Sequence, residues 1–207
     1  GTASKQYYLP QTVDGIVVVQ DQTTVVDFTI TGQPPAPVPL FAVTSGNQFN
    51  DLNWANPAGG NFTATTIRFS TSDCPATPSD GTLLLDEAGS PGGTGSFRHS
   101  GLTNGTTYYY TAFSYYSDFG RYYASGTTVG GTPAGPADFD RDGDVDSSDF
   151  GFFQRCFSGD FVPQTDPACA GAKFDVDEDV DQQDFAAFMD CLQGPGVPAD
   201  PNCAPIN

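Results

Sequence analysis

Residues 138–149 read Asp-Phe-Asp-Arg-Asp-Gly-Asp-Val-Asp-Ser-Ser-Asp, and a related stretch returns 35 residues later. The second copy, residues 173–184, reads Lys-Phe-Asp-Val-Asp-Glu-Asp-Val-Asp-Gln-Gln-Asp. Over the longer spans 138–156 and 173–191, 10 of 19 positions are identical. A solvated acidic run has no reason to keep valine and phenylalanine in register with its carboxylates, so the pattern indicates a folded unit that occurs twice.

The first copy has the arrangement of a twelve-residue calcium loop flanked by helices. Such a loop needs oxygen ligands at positions 1, 3, 5, 7, 9 and 12, and a glycine at position 6, where the backbone turns sharply. Gly143 occupies position 6. The predicted ligands are the side chains of Asp138, Asp140, Asp142 and Asp149, the main-chain carbonyl of Asp144, and Asp146 through a water. The sequence predicts one calcium ion here.

The second copy departs from this arrangement at two positions. Lys173 replaces the first ligand, and its ammonium could occupy the place of the ion and pair with Asp175 or Asp177. Glu178 replaces the glycine, at a backbone position where a side chain usually costs free energy. The candidate ligands that remain are Asp175, Asp177, Asp179, Asp181 and Asp184. Whether this loop holds an ion or an ammonium stays open at this point.

Two such loops, each followed by a short predicted helix near 147–157 and 182–192, resemble the dockerin family of bacterial extracellular modules. Aspartate rather than glutamate at position 12 and the sequence Val-Asp-x-x-Asp-Phe in both copies carry the resemblance. It implies that a partner domain, a cohesin, is recognised through loop positions 10 and 11. These are Ser147, Ser148, Gln182 and Gln183. Because the two copies differ there, two equivalent docking orientations are not expected.

Cysteine placement favours an oxidising compartment and a secreted or cell-surface protein. Cys156 and Cys191 occupy equivalent positions in the two copies, and Cys169 and Cys203 follow them by 13 and 12 residues. The simplest pairing links each helix end to the loop after it: Cys156–Cys169 and Cys191–Cys203. Zinc is the alternative, but the chain has no Cys-x-x-Cys and its one histidine lies far away in sequence. The fifth cysteine, Cys74, has no predicted partner.

The acidic charge of the chain limits its partners. The formal net charge is −18, and residues 138–207 carry 16 acidic against 3 basic side chains. Such a balance argues against nucleic acid and anionic membrane surfaces as partners. No apolar run approaches the length of a membrane span. With neither an initiator methionine nor a recognisable signal peptide, the chain is expected to be a mature or processed form.

Residues 34–134 are predicted to form a β-sandwich. Short runs rich in Thr, Tyr, Phe and Val alternate with Gly, Pro, Asn and Asp at the spacing of sandwich strands. The predicted strands lie near 38–44, 49–54, 63–70, 82–86, 94–99, 106–116 and 121–129. Trp54 and the pair Leu102 and Tyr108 resemble a fibronectin type III domain. The resemblance implies a core tryptophan and a tyrosine hydroxyl that bonds to the preceding backbone.

No catalytic residue is predicted in this sandwich. His99 stands beside Ser100 with no acidic residue near it in sequence, and there is no nucleophile elbow. The tyrosine-rich run 108–116 has two interpretations, since aromatic faces stack on sugars and also fill β-sandwich cores. The structural interpretation is favoured, and carbohydrate binding is kept as an alternative.

Residues 1–33 are predicted to form a β-hairpin arm. Val13–Val19 and Val25–Ile30 look like two strands joined by a short turn, and their sequence resembles the last hairpin of a carboxypeptidase regulatory-like domain. An isolated apolar hairpin is marginal in water, so it is expected to pair with the sandwich or with another chain. The proline-rich stretch 33–39 predicts a stiff, extended linker, which favours another chain.

The expected architecture is mainly β, with an immunoglobulin-like or fibronectin III-like sandwich followed by a small two-helix dockerin-like calcium module in residues 135–207. The predicted function is a non-catalytic extracellular assembly subunit, with no membrane insertion. It would associate with identical copies or a cohesin-like domain through its N-terminal strands and its calcium-stabilised module. The alternatives are a cohesin-docking tail of a larger secreted protein and, third, a carbohydrate-binding module.

Overall fold

The computed structural model describes residues 2–3, 10–14, 16–17, 20, 25–26, 32–118 and 120–203. Its strands are β1 (Thr2–Ala3), β2 (Gln11–Thr12), β3 (Leu40–Gly46), β4 (Phe49–Ala55), β5 (Ala64–Ser70), β6 (Thr82–Ala88), β7 (Thr94–Ser100), β8 (Tyr108–Ser117), β9 (Arg121–Tyr123) and β10 (Thr127–Gly131). The α-helices α1 (Ser147–Cys156) and α2 (Gln182–Cys191) flank a 3₁₀ helix at Pro167–Ala172. The described chain is therefore mainly β, as predicted.

Strands β3 to β10 form a sandwich of two antiparallel sheets. One sheet has the order β3-β4-β7, and the other has the order β10-β8-β5-β6, with β9 also pairing with β8. The central strand β8 is buried along most of its length because it pairs with β5 on one side and with β9 and β10 on the other. The predicted strands agree to within two residues, except that the run 121–129 is divided into β9 and β10.

The sandwich core lies between the two sheets. Leu52, Ile67 and Tyr110 are fully buried, and Trp54 packs in the same cluster. Burial of a large apolar side chain stabilises a fold by roughly 1.5–3 kcal/mol. The Thr103 N–H donates a hydrogen bond of 3.1 Å to the Tyr108 hydroxyl. This bond is the one that the fibronectin III resemblance implies, and the strand order is consistent with that fold.

The proline-rich stretch before β3 is bonded to the sandwich. The Asn61 side-chain amide donates to the carbonyls of Gln33 and Pro34. The Ser114 hydroxyl donates to the Ala36 carbonyl at 2.6 Å, and Val38 is buried. The extended conformation that the prolines predict is therefore used to lay this stretch against the sandwich, and not to hold the arm away from it.

The N-terminal arm is described only in part. β1 and β2 form an antiparallel pair in which Thr2 faces Thr12 and Ala3 faces Gln11. The described residues of the predicted strands 13–19 and 25–30 lie in no strand. The other residues of those two predicted strands lie outside the described part of the chain.

The C-terminal helices begin at the predicted residues, and their rings share one core. The N-caps are Asp146 and Asp181, the ninth residues of the two acidic loops, and each closes a reciprocal capping box. The rings of Phe153 and Phe188 stack with centroids 5.2 Å apart. The two helices therefore pack through the phenylalanines that the repeat keeps in register.

The first acidic loop rests directly on the sandwich. A Cβ added to Gly105, in the loop between β7 and β8, would lie 2.6 Å from the Cα atom of Gly143. The Asn47 side chain donates a hydrogen bond of 2.7 Å to the carbonyl of Pro201. This junction, Gly105 and Asn47 against Gly143 and Pro201, joins the sandwich to the helical module. No helix in the described residues is long and apolar enough to cross a membrane.

Candidate metal centre

Asp149, the last residue of loop 1 (138–149), organises the loop backbone. Its side chain is fully buried. One carboxylate oxygen accepts hydrogen bonds from the N–H groups of Phe139 (2.6 Å) and Asp140 (3.3 Å), and the other accepts from Asp146 N–H (2.9 Å). The carboxylate at position 12 therefore draws both ends of the loop together, in addition to any contact with an ion.

Asp138 is the side chain that points to a metal. It is 4% exposed, and within the described chain neither carboxylate oxygen has a hydrogen-bond partner. One oxygen each from Asp138, Asp140 and Asp149 come within 4.8 Å of one another. A buried carboxylate without donors is costly, and a hard cation held by several oxygens removes that cost. The predicted ligand set of loop 1 thus fits calcium.

The electrostatics of the loop point in the same direction. Burial raises the pKa of Asp138 to about 6, and the neighbouring charges of Asp149 and Asp142 add to the rise. The amides of Arg141 and Gly143 face Asp138 and partly oppose the rise. Burial and the charge of Asp149 also raise the pKa of Asp140. Carboxylates that raise one another's pKa in this way are stabilised in their ionised form by a divalent cation.

Three further predicted ligands also accept hydrogen bonds from backbone amides. One Asp144 carboxylate oxygen accepts from the N–H of Gly196, so the side chain holds the turn after α2 while its carbonyl remains available to the loop. Asp146 accepts from the Ser148 N–H at 2.7 Å as the helix cap. The side chain of Asp142 accepts from the Asp144 N–H at 3.2 Å and shapes the turn between them.

Loop 2 (173–184) repeats the internal hydrogen bonds of loop 1. The carboxylate of Asp184 accepts from the N–H groups of Phe174 (2.6 Å), Asp175 (3.3 Å) and Asp181 (2.9 Å). Asp175 and Asp177 accept from the amides of the residues two positions later. The frame of the loop is therefore kept even though its sequence departs from the calcium pattern.

At the two positions where loop 2 departs from the calcium pattern, the structure differs from what the sequence indicated. Lys173 makes no ion pair with any described residue, so the expected pairing with Asp175 or Asp177 is not formed. Glu178 keeps a negative φ, whereas Gly143 has a φ of 100°. Loop 2 therefore avoids the strained conformation at position 6 by following a different local backbone path.

Each loop is held by the turn that follows the helix of the other repeat, an arrangement called here the reciprocal clasp. The carbonyl of Val145 in loop 1 accepts from the N–H groups of Gln193 and Gly194. The carbonyl of Val180 in loop 2 accepts from Ser158 and Gly159. Because these residues are also 35 positions apart, the clasp obeys the same repeat as the loops.

Sequence reasoning missed the turns that form the clasp. The signal was present, because Gly-x-x-Val-Pro recurs at 159–163 and 194–198. In each turn the valine N–H bonds back to the glycine carbonyl. The residue after each proline then donates its N–H to position 6 of the opposite loop, Gln164 to Glu178 and Ala199 to Gly143, both at 2.8 Å.

The predicted disulfides are present. Cys156–Cys169 and Cys191–Cys203 have Cα–Cα distances of 5.4 and 5.1 Å, which are ordinary for disulfides. Cys74 is free. Each bridge closes the segment that carries one turn of the clasp, so the cross-links also hold the two loops. Paired cysteines of this kind indicate an oxidising, extracellular environment.

The predicted partner-binding residues lie in the first turns of the helices. Ser147 and Ser148 on α1 and Gln182 and Gln183 on α2 are all exposed. The backbone amides of Ser148 and Gln183 donate to the N-cap side chains, and all four side chains are accessible on the surface. They are therefore free to contact another protein without disturbing the loops.

The aromatic residues of the sandwich are used in its packing. Tyr108, Tyr110 and Tyr115 of the tyrosine-rich run are buried. His99 lies with Nδ1 3.0 Å from the Tyr110 hydroxyl, and its ring packs edge-on against Phe69. Burial lowers the pKa of His99. These positions favour the structural interpretation of the tyrosine run.

No protein-family model and no curated protein matches this chain. Among solved structures, the FN1–FN3 domains of chicken CNTN1 are 11% identical with a TM-score of 0.39, over 51% of this chain and 36% of that chain. Domains d3–d4 of the rat CD45 extracellular region are 11% identical with a TM-score of 0.36, over 63% of this chain and 75% of that chain. The CNTN1 match spans about a third of that structure.

Proposed function

We propose that this chain is a non-catalytic extracellular assembly subunit whose C-terminal module is stabilised by a calcium ion in loop 1. The observation that carries the proposal is the Asp138 carboxylate, which is buried with no hydrogen-bond partner in the described chain and converges with Asp140 and Asp149. Carboxylate oxygens are the ligands that calcium prefers. The ion would connect the start of the loop to the start of α1.

Calcium binding would couple to the folding of this module. Residues 138–207 carry a formal net charge of −13, which opposes compaction. A divalent cation that binds the folded loop and not the unfolded chain stabilises the fold by mass action. The module is therefore expected to be considerably less stable in chelator.

Assembly would use the two ends of the chain. At the N-terminus, β1 and β2 form a two-stranded ribbon, and strand addition is a common way for such a ribbon to be extended by a neighbouring chain. At the C-terminus, the module offers the exposed helix-start residues. A calcium-dependent module at one end and a strand-forming segment at the other suit a subunit that joins identical copies.

A docking tail for a cohesin-like partner is the second candidate. It is favoured by the exposed serines of α1 and the exposed glutamines of α2, which stand on surfaces that no described residue covers. Because the two pairs differ chemically, a partner would bind one helix start in preference to the other.

Light scattering with size-exclusion chromatography distinguishes the two candidates. A variant that lacks residues 1–31 keeps the stretch bonded to the sandwich, so its fold should be intact. If the chain assembles through its arm, the full-length protein forms calcium-dependent oligomers and the shortened variant is a monomer. If the full-length and shortened proteins form oligomers of the same size, the arm is not the assembly contact. Monomers from both forms, together with calcium-dependent binding of a cohesin-like domain, would favour docking.

A further inference from the structure

A second group of carboxylates lies beside loop 2, where the turn after α1 meets it. Asp160 belongs to that turn, and Asp179 and Asp181 occupy positions 7 and 9 of the loop. One oxygen of each of the three comes within 4.8 Å of the others. The group is thus formed by both repeats: it shares Asp179 and Asp181 with the candidate ligands of loop 2 and adds Asp160 from the turn.

The Asp179 side chain distinguishes this group from a solvated acidic patch. Asp179 is 6% exposed, and one of its oxygens accepts a hydrogen bond of 2.8 Å from the Phe161 N–H. The other oxygen is buried and meets no donor in the described chain. Asp181 is equally secluded, at 3% exposure. The Asp181 carboxylate already accepts the Gln183 N–H at 2.7 Å as the cap of α2, so the cost of burial falls on the unsatisfied oxygen of Asp179, and a cation would remove that cost.

The first repeat provides an internal comparison. Its equivalent of Asp160, 35 residues later, is Pro195, so no carboxylate enters from the turn after α2. The first repeat has Asp138 at loop position 1, whereas the second has Lys173 there. The second repeat has therefore lost an acidic ligand at the loop centre and carries an additional one at its side.

We propose that Asp160, Asp179 and Asp181 bind a second divalent cation at the contact between the turn after α1 and loop 2. Three carboxylates form a hard, all-oxygen ligand set with the charge to hold Ca²⁺, whose remaining coordination positions can be filled by water. The ion would hold the turn after α1 against loop 2, which is one of the two contacts of the reciprocal clasp. The proposal is independent of how the chain assembles.

Calcium stoichiometry by native mass spectrometry and calorimetric titration with calcium chloride tests this site on the full chain. Asp138→Asn removes the loop 1 site and provides the background. In that background one ion should still bind. Asp160→Asn should weaken its binding about 10-fold or more, because it removes one of three charged ligands. Asp160 is exposed, so its replacement should not affect folding.

The matched control is Asp177→Asn, which changes an exposed loop-centre carboxylate outside the proposed group. It should weaken the second ion much less than Asp160→Asn does, because Asp177 lies near Asp179 but is not one of the three proposed ligands. The proposal is overturned if Asp177→Asn abolishes the second ion while Asp160→Asn does not, or if the Asp138→Asn protein binds no calcium. The assembly proposal fails on a different readout, since the oligomer mass would then be the same in calcium and in chelator.

Discussion

Asp138 and Asp149 belong to one cluster of carboxylates but differ in what satisfies them. Asp149 accepts three backbone amides, two on one oxygen and one on the other, so it holds the loop in shape and keeps a lone pair for an ion. The amides of Arg141 and Gly143 face Asp138, but neither forms a hydrogen bond with it, and its ionised form is unfavourable unless a cation is present. Within one loop, therefore, one carboxylate stabilises the backbone and the other is the one whose burial the proposed calcium ion would compensate.

Replacing Asp138 by asparagine should stabilise the calcium-free protein at neutral pH. The folded-state pKa of Asp138 is raised to about 6. The favourable contribution of the protonated form is therefore fully present below about pH 3.9 and is lost as the pH rises through about 6. Urea unfolding in chelator should show the variant to be about 1–2 kcal/mol more stable at pH 7.5, after discounting for screening, and the gain should shrink towards pH 5. In saturating calcium the order should reverse.

Asp149→Ala should reduce calcium affinity more than Asp146→Ala does. The first change removes a direct ligand and three backbone hydrogen bonds, whereas the second removes a helix cap worth about 1 kcal/mol. Calorimetric titration of the two variants measures the difference. Equal losses of affinity would contradict the assignment of Asp149 as a direct ligand.

At the scale of the helices and loops, two glycines of the module differ in whether a side chain could replace their hydrogen. Gly143 has a φ of 100° and lies against the Gly105 backbone, so a side chain there is both strained and obstructed. Gly151 lies inside α1, where an added Cβ would meet nothing within 4 Å. The same chemical change should therefore have opposite effects at two positions eight residues apart.

Gly143→Ala should destabilise the module, and Gly151→Ala should stabilise it. The first variant is expected to lose about 1–2 kcal/mol through backbone strain and contact with the sandwich. The second should gain about 0.5–1 kcal/mol, the usual advantage of alanine over glycine inside a helix. Thermal unfolding in calcium measures both effects, and a stable Gly143→Ala protein would refute the described loop conformation.

The elements that local sequence patterns specify were predicted to within a few residues. The capped helix starts, the disulfides and the sandwich strands depend on neighbouring residues or on fixed spacing. The reciprocal clasp was not predicted: the recurring Gly-x-x-Val-Pro indicates two similar turns, but it does not indicate that backbone amides such as those of Ser158 and Gln193 bond to the opposite loop. The path of loop 2 at Glu178 was likewise decided by its surroundings and not by its own sequence.

At the scale of the whole molecule, the junction connects loop 1 to the sandwich through a contact between backbone atoms. Gly105 and Gly143 approach closely because neither has a side chain. A change in the shape of loop 1 on ion binding would therefore displace the loop between β7 and β8.

The proline-rich stretch 33–39 was expected to act as a stiff linker that favours pairing with another chain. Proline fixes an extended conformation, but it does not indicate which surface the stretch lies against, and here that surface is the sandwich.

Gly105→Ala should weaken calcium binding at loop 1, although it lies in the sandwich. The matched control is Gly101→Ala, because Gly101 has nearly the same φ (74° against 73°) but nothing within 4 Å of an added Cβ. Both variants should lose similar stability from backbone strain, and only Gly105→Ala should reduce calcium affinity, by roughly 3- to 10-fold for about 1 kcal/mol of displaced contact. If the two variants bind calcium with the same affinity, the contact between Gly105 and Gly143 has no effect on ion binding at loop 1.

The disulfides also determine how the module would respond to tension along the chain. A pull on the main chain passes from Cys156 directly to Cys169 and from Cys191 to Cys203, so the turns between them carry no load. Those shielded turns are the ones that grip the opposite loops. Tension can therefore act on the acidic loops while the turns that bond to them are not stretched. Reduction would place the 23 residues of 157–168 and 192–202 under load as well and lengthen the stretched chain by roughly 80 Å, at about 3.5 Å per residue.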